Sequence, residues 1–304
     1  MAKRRKKKQS AKKKSKGSKK QSQTDRPQED VSEDIPFDRG FMEKVLRKFI
    51  EEGEGGDREQ TPLDRAQDLI YDAWEEPESL KRCAMAQVAL EICPDCADAY
   101  SLLAEETSSS LRYAIEKFTQ AMEAGERALG PEPFREDVGH FWGLLETRPY
   151  MRARNSLAQC LWEAARDDEA IGHARELLRL NPGDNQGIRY ILIHWLIETQ
   201  RDDEAWELLN AYAGEGMATW LYSKALLLFR KEGDTKNARE ALQAAISANE
   251  HVPDFLLLRR DLPDEEPAYY SPGDEQEASM YLNGAHQSWI RTSGAMEWLE
   301  AQTS

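Results

Sequence analysis

One short motif in the sequence has the residue types and spacing for chemistry, the pair of cysteines in Cys93-Pro94-Asp95-Cys96. A redox pair with this spacing opens a helix that follows a strand, where the helix dipole lowers the thiol pKa. Here the motif follows the end of a predicted helix, and no strand precedes it. A structural zinc site needs four ligands, and no second CxxC or pair of histidines lies nearby. We therefore predict buried or half-buried thiols, with metal binding and redox chemistry as the two alternatives.

The other groups that could react are scattered along the chain. None of the five histidines pairs with another at the i, i+3 or i+4 spacing of a helical metal site. The acidic RDDEA segments at 166–170 and 201–205 are predicted turns entering helices, where carboxylates favour the N-terminal dipole. Serine-hydrolase, P-loop and dinucleotide-binding motifs are missing from the sequence. We predict no catalytic residue, no cofactor and no metal, and hence a protein that is not an enzyme.

The N-terminal tail, residues 1–33, has a composition unlike the rest of the chain. Residues 1–20 carry twelve Lys or Arg and no acid, which leaves 29 of the 41 basic side chains against all 56 acidic ones, a net charge of −27 elsewhere. With almost no apolar side chains, the tail is predicted to be disordered. Such a tail attracts phosphates without reading sequence, through Lys3, Arg4, Arg5, Lys6, Lys7, Lys8, Lys12, Lys13 and Lys14. RNA, DNA, an acidic partner and an anionic membrane surface are candidate ligands, and a solvated tail with incidental binding is the alternative.

The rest of the composition predicts a soluble, cytoplasmic protein. The basic start is not followed by the apolar stretch of a signal peptide, and no run of about 18 apolar residues that could span a membrane occurs. Four cysteines are few for 304 residues and are consistent with free thiols in a reducing compartment.

Beyond the tail, apolar residues recur at helical spacing. Residues 34–62 are predicted to form a short helix, over 38–51, and a linker, and 63–300 a helical repeat domain. Thr61 is the predicted N-cap of the first repeat helix, with Pro62 at its first position. Further helices are predicted at 63–75, 79–92, 97–107, 111–129, 150–164, 168–180, 185–199, 202–212, 217–231 and 235–249, and no strand is predicted.

An internal period indicates the fold class. The RDDEA segments are 35 residues apart, and a similar turn at 233–238 follows about one period later. A period near 34 residues is typical of tetratricopeptide repeats, in which small residues lie where two helices touch. The predicted fold is all-α, a tetratricopeptide-like right-handed solenoid of about five helical hairpins with a disordered basic N-terminal tail. An irregular helical bundle is the alternative.

Several segments resemble a known family. They are PDCADAYSLLAEE (94–106), ETRPYMRARNSLAQCLW (146–162), LNPGDNQGIRYILIHWL (180–196), NEHVPDFLL (249–257) and SPGDEQEASMYLNGAHQSWIRTSGAMEWL (271–299). Together they resemble soluble bacterial tetratricopeptide proteins related to the suppressor-of-tumorigenicity-seven family. The resemblance implies a tetratricopeptide-like fold and no known enzymatic activity. Its eukaryotic members look membrane-associated and this sequence lacks their apolar spans, so a role in growth control is not carried over.

The functional hypothesis follows from the architecture. A stack of hairpins presents a groove lined by the first helix of each repeat, which suits binding of a protein or peptide. The predicted groove residues are Arg152, Asn155, Gln159, Arg189, Tyr190, His194 and Ser223. The arginines suit an acidic peptide, because guanidinium groups pair with carboxylates bidentately. The competing account is that they pair internally with Glu146, Glu163 or Glu198 and hold the hairpins together. The alternative function is a nucleic-acid- or ribosome-associated factor tethered by the basic tail.

Overall fold

The computed structural model describes residues 39–53, 59–263, 267 and 269–303, and every regular element in these ranges is a helix. These residues belong to one unit, Asp38–Ser304. In chain order the helices are α1 (Arg39–Gly53), α2 (Pro62–Glu75), α3 (Ser79–Ile92), α4 (Ala97–Thr107), α5 (Leu111–Leu129), α6 (Pro133–Glu136), α7 (Arg148–Glu163), α8 (Asp167–Leu180), α9 (Ile188–Glu198), α10 (Asp202–Ala211), α11 (Ala218–Glu232), α12 (Lys236–Ala248), α13 (Val252–Leu256), α14 (Glu275–Arg291) and α15 (Ala295–Gln302).

Ten of these helices pair into five hairpins: α2 with α3, α4 with α5, α7 with α8, α9 with α10, and α11 with α12. The first helices of successive hairpins also touch, α2 against α4, α4 against α7, and α9 against α11. We call the surface formed by these five first helices the inner face. The chain is thus an all-α, tetratricopeptide-like solenoid of five hairpins, as its internal period predicts.

Local sequence explains where the helices start. The Thr61 hydroxyl accepts the Asp64 backbone N–H, and the Asp64 carboxylate accepts the Thr61 N–H, so α2 begins with a capping box followed by Pro62. Both RDDEA segments place their acids in the first turn of α8 and α10, which confirms that they are helix starts. At the similar turn of residues 233–238, the Thr235 hydroxyl caps α12 by accepting from the Ala238 N–H.

Small residues let the paired helices approach. Ala170 and Ala174 on α8, Ala205 on α10, and Ala238 on α12 are all buried, as their recurrence in the repeat predicts. Larger side chains fill the space between hairpins, and the indole rings of Trp162 and Trp195 stack with centroids 4.9 Å apart. One continuous apolar core runs from α4 to α15, and a smaller core lies under α2, α3 and α4.

The structure differs from the predicted elements in two places. Residues 130–149, between two of the predicted helices, contain α6 and a 3-10 turn at Phe141–Gly143. After the fifth hairpin, α13, α14 and α15 add helices that the apolar spacing did not predict. Residues 1–33, predicted to be a disordered tail, lie outside the described residues. Within the described part of the chain, no helix combines the length and apolar character needed to cross a membrane.

Candidate functional site

The C-terminal half of the inner face is covered by α14. This helix packs against α9 and α11, and its Tyr281, Leu282, Ala285 and Trp289 side chains are buried. The Trp289 indole N–H donates a 2.8 Å hydrogen bond to the Tyr281 hydroxyl. What remains open here is a cavity of 460 Å³ between α9, α11 and α14. An extended peptide therefore meets a helix of the chain itself on this half of the inner face.

Polar contacts also hold α14 in place. The buried Glu277 carboxylate accepts the Ala218 backbone N–H at 2.8 Å, at the first residue of α11, where the helix dipole favours an anion. Its other oxygen accepts from Asn249 Nδ2 at 2.8 Å and from the Gly273 N–H at 2.7 Å. At the far end, Arg230 on α11 donates to the Thr292 hydroxyl at 2.8 Å.

Two of the predicted groove residues lie beneath α14. Ser223 is 1% exposed and forms a hydrogen bond with Tyr281, so its expected position on an open groove is corrected. The His194 ring faces Gly284, where an added Cβ would lie 2.4 Å from a ring carbon. Only glycine permits this approach. Desolvation lowers the pKa of His194 to about 4, so the imidazole is neutral at neutral pH.

Arg189 and Tyr190 form a second cluster, at the start of α9. Arg189 donates to Glu215 Oε2 at 2.8 Å and to Asp184 Oδ2 at 3.1 Å, and its guanidinium lies 4.5 Å from the centroid of the Tyr190 ring. The Tyr190 hydroxyl donates to the same Glu215 oxygen. The Asp184 carboxylate also accepts the Ile188 and Arg189 backbone N–H groups. This arginine is therefore already paired within its own repeat.

The N-terminal half of the inner face keeps an open cavity. Its volume is 310 Å³, and α2, α4, α7 and the segment before α9 contribute to its walls. Trp74 and Trp142 supply aromatic surface. Ser101, Asn155, Ser156, Asn185 and Gln186 supply amide and hydroxyl groups, and charged side chains come from Arg152 and from the carboxylates of Asp98 and Glu105. Of the predicted groove residues, Arg152 and Asn155 line this cavity, while the exposed Gln159 donates to Asn155 Oδ1 at 3.1 Å.

Two atoms of this cavity have unmet hydrogen-bonding capacity. The Ser101 hydroxyl oxygen and Gln186 Oε1 are buried, and neither has a hydrogen-bond partner among the described residues. The Gln186 amide is held in place from its other end, since Nε2 donates to the Met151 carbonyl at 3.3 Å. Unsatisfied buried polar atoms are costly. Because both oxygens are closed to solvent, a bound group that donates to them gains affinity only once the two side chains turn toward the cavity.

A buried ionic network lies at one end of this cavity. Arg152 Nε donates to Asp98 Oδ1 at 3.1 Å, and Arg152 Nη1 donates to both oxygens of Glu43 on α1, at 2.8 and 3.0 Å. Gln67 Nε2 donates to Asp98 at 2.9 Å, and the guanidinium lies 5.3 Å from the centroid of the Trp74 indole. Burial disfavours the charge on Arg152, but Asp98 and Glu43 outweigh it and raise its pKa.

Arg152 and Arg189 form ion pairs within the chain, which is closer to the account of internal pairing than to that of an open acidic-peptide groove. Their partners differ from those predicted. Glu43, Asp98, Asp184 and Glu215 take the places predicted for Glu146, Glu163 and Glu198. Glu198 instead pairs with Arg291 on α14, at 3.2 Å. Sequence reasoning also missed Trp74 and Ser101, which come together with Arg152 and Asn155 only in the folded chain.

The cysteine motif lies in the connection between the first hairpin and the second. Cys93 ends α3 and Cys96 precedes α4. Cys96 is buried, and desolvation raises its pKa to about 12, which keeps the thiol protonated. Among the described residues, no cluster of three His, Cys, Asp or Glu side chains could hold a metal ion. The predicted nucleic-acid-binding residues between Lys3 and Lys14 lie outside the described residues.

Comparison with a family model and comparison with curated proteins point to the same family. The family model described as ST7 protein matches residues 57–303. A Bos taurus protein named suppressor of tumorigenicity 7 protein-like is 30% identical over 254 residues, covering 76% of this chain and 46% of the relative. A Caenorhabditis elegans protein named protein ST7 homolog is 30% identical over 274 residues, covering 76% of this chain and 49% of the relative. The chain thus spans about half the length of the curated relatives it matches.

Among solved structures, the chain is similar to YrrB, described as a TPR protein with an unusual peptide-binding site. The TM-score is 0.41 at 19% sequence identity, over 67% of this chain and 92% of that one.

Proposed function

We propose that this chain, which belongs to the ST7 protein family, is a non-enzymatic scaffold that binds an extended peptide segment of a partner protein on its inner face. The binding site in this proposal is the open 310 Å³ cavity between α2, α4 and α7. The C-terminal half of the inner face is not part of this proposed site, because α14 packs against α9 and α11 there.

The observation that carries the proposal is the pair of unpartnered buried oxygens in the cavity, Ser101 Oγ and Gln186 Oε1. An extended peptide carries a backbone N–H at nearly every residue, so it can donate to both without any particular side chain. The carboxamides of Asn155 and Asn185 line the same cavity and can both donate and accept. Trp74 adds flat apolar surface for a peptide side chain.

The cellular setting is part of the same proposal. We place the scaffold in a reducing compartment, the cytoplasm, because all four of its cysteines are free: Cys83, Cys93, Cys96 and Cys160.

Selection of peptides from a random library on the full-length chain tests this function, with affinities then measured by fluorescence anisotropy. The double variant Asn155→Ala with Asn185→Ala should weaken the recovered peptides by about tenfold or more, since it removes two groups that bond to peptide backbone. Gln243→Ala, at an exposed position of α12, is the matched control and should leave the affinity unchanged. A library that yields no binder, or binders insensitive to the double variant, would contradict the proposal.

A second candidate function rests on the charge of the tail. Twelve cations within residues 1–20 favour weak, sequence-independent binding of RNA or DNA. The rest of the chain, called the body here, has a net charge of −27 and would repel these polyanions. Deleting residues 1–20 should abolish the retardation of a single-stranded RNA in a gel-shift assay. For the full-length chain, affinity should fall steeply with added salt. Retardation that survives the deletion would place the binding site on the body and remove this role from the tail.

A further inference from the structure

Helix α1 faces the repeats with its charged side. Glu43 is 3% exposed, and besides its two bonds from Arg152 its Oε1 accepts from Arg148 Nη1 at 3.4 Å. Lys44 pairs with Asp72 on α2. Arg47 pairs with two carboxylates of α2, Asp64 and Asp68. All of these ionic partners lie on first helices, α2 and α7, so α1 is bound to the inner face.

The apolar side of α1 points away from the repeats. Met42, Val45, Leu46 and Phe49 follow the spacing of an apolar helical stripe, and all four are exposed, Phe49 to 72%. An amphipathic helix of a globular protein normally buries such a stripe against the core. Among the side chains of α1 that the structure describes, residues 42–49, the contacts with the repeats are ion pairs. Pairs near the surface contribute little, so the buried contact between Glu43 and Arg152 carries most of the attachment.

The two arginines form a preorganised site for one carboxylate. Arg152 is oriented by Asp98, which occupies its Nε side and leaves Nη1 for Glu43. Arg148 is oriented separately, since its Nε donates to the Trp142 carbonyl at 3.0 Å and its guanidinium lies 5.2 Å from the centroid of the Trp142 ring. Both guanidinium groups would keep their positions without α1, because the groups that hold them belong to the repeats.

This carboxylate site opens into the cavity of the proposed function. Arg152, Trp74 and Trp142 line that cavity as well as surrounding the site. A peptide lying in the cavity can therefore reach Arg148 and Arg152 with one acidic side chain, at the position now held by Glu43.

We propose that Arg148 and Arg152 bind an Asp or Glu side chain of the partner peptide, and that Glu43 of α1 is the internal occupant which this side chain displaces. The inference rests on the proposed function and specifies its ligand as an acidic peptide. Displacement frees α1 from the inner face.

Hydrogen exchange of the full-length chain tests whether Glu43 holds α1. Glu43→Gln keeps the size of the side chain and removes its charge, so amides of residues 39–53 should exchange about tenfold faster or more. Lys48→Gln is the control, since Lys48 is exposed on the same helix. The Lys48→Gln variant should leave the exchange rates of residues 39–53 unchanged. Unchanged protection of the remaining helices would show that the Glu43→Gln chain is folded. Equal exchange of α1 in wild type and Glu43→Gln would overturn the proposal.

A synthetic amidated peptide of residues 39–53 tests the ligand class. It should bind the Glu43→Gln chain about tenfold tighter than wild type, in which α1 competes for the site, and the same peptide with Gln at position 43 should not bind. Equal binding of the two peptides would overturn the assignment of a carboxylate site.

The peptide library separates this inference from the proposed function. Library peptides that bind wild type and Glu43→Gln with equal affinity would leave the scaffold function standing and sink the inference. If no library peptide binds either chain while the residue 39–53 peptide behaves as expected, the carboxylate site stands and the scaffold function fails.

Discussion

Two helices outside the five hairpins, α1 and α14, lie on the inner face in opposite ways. Helix α14 buries Leu282 and Trp289 against α9 and α11, and its buried Glu277 caps α11. Helix α1 binds through ion pairs and leaves Leu46 and Phe49 exposed. Apolar burial is not screened by salt, whereas ionic contacts are screened and can be exchanged for those of a competitor. On the C-terminal half of the inner face the covering helix is thus part of the fold, whereas on the N-terminal half it is held by contacts that a competitor can replace.

The largest expected effect is on the α14 side of this comparison. Trp289 is fully buried, so Trp289→Ala should lower the free energy of unfolding by about 3–5 kcal/mol through lost packing and a cavity. Ile290→Ala, at the neighbouring and 51% exposed position, should cost less than about 0.5 kcal/mol. Urea denaturation measures both. A loss below about 1 kcal/mol for Trp289→Ala would mean that α14 is not an integral part of the fold.

A smaller effect on the same side comes from His194. Its ordinary pKa of 6.5 falls to about 4 in the folded chain, so between these pH values the unfolded state binds a proton that the folded state does not. Stability from the neutral ring is complete above pH 6.5 and declines as the pH falls toward 4. At pH 5 the loss should be about 2 kcal/mol relative to pH 7.

The control for that loss is His194→Gln, which removes the titrating group. Urea denaturation at both pH values should show a smaller drop for His194→Gln than for wild type, the difference being the share of His194. A ring proton resonance of His194 that titrates near its ordinary pKa would show that α14 does not desolvate it.

Much of the fold was predictable from the sequence because it is set by local signals. Helices α3, α4 and α5 begin and end at the residues that the apolar spacing predicts. The turns before α8 and α10 were predictable because both repeat one pattern, with acids in the first turn of the second helix and a buried alanine in each of these helices. Even α2 was predicted from Thr61 and Pro62 to within one residue.

The arrangement of the candidate site was not predictable, because it depends on contacts between distant segments. Glu43 and Arg152 are 109 residues apart, and nothing in the charge pattern of α1 names its partner. Ser223 was predicted to be exposed from its polarity alone, whereas α14, 58 residues later, buries it under Tyr281. The apolar spacing of α1 predicted a helix, and only the folded chain shows that Met42, Val45, Leu46 and Phe49 are exposed.

The smallest expected effect, that of Leu46→Ala, sharpens the comparison most directly, because the same substitution can be made at Leu282 of α14. Leu282 on α14 is 2% exposed, so Leu282→Ala should cost about 2–5 kcal/mol in urea denaturation. Leu46 on α1 is 42% exposed, so Leu46→Ala should cost less than about 0.5 kcal/mol. Hydrogen exchange of residues 39–53 should also be unchanged in Leu46→Ala, since the ion pairs of Glu43 remain. If Leu46→Ala instead releases α1 or costs more than about 1 kcal/mol, apolar packing holds α1 in place, and the two halves of the inner face do not differ in the way described.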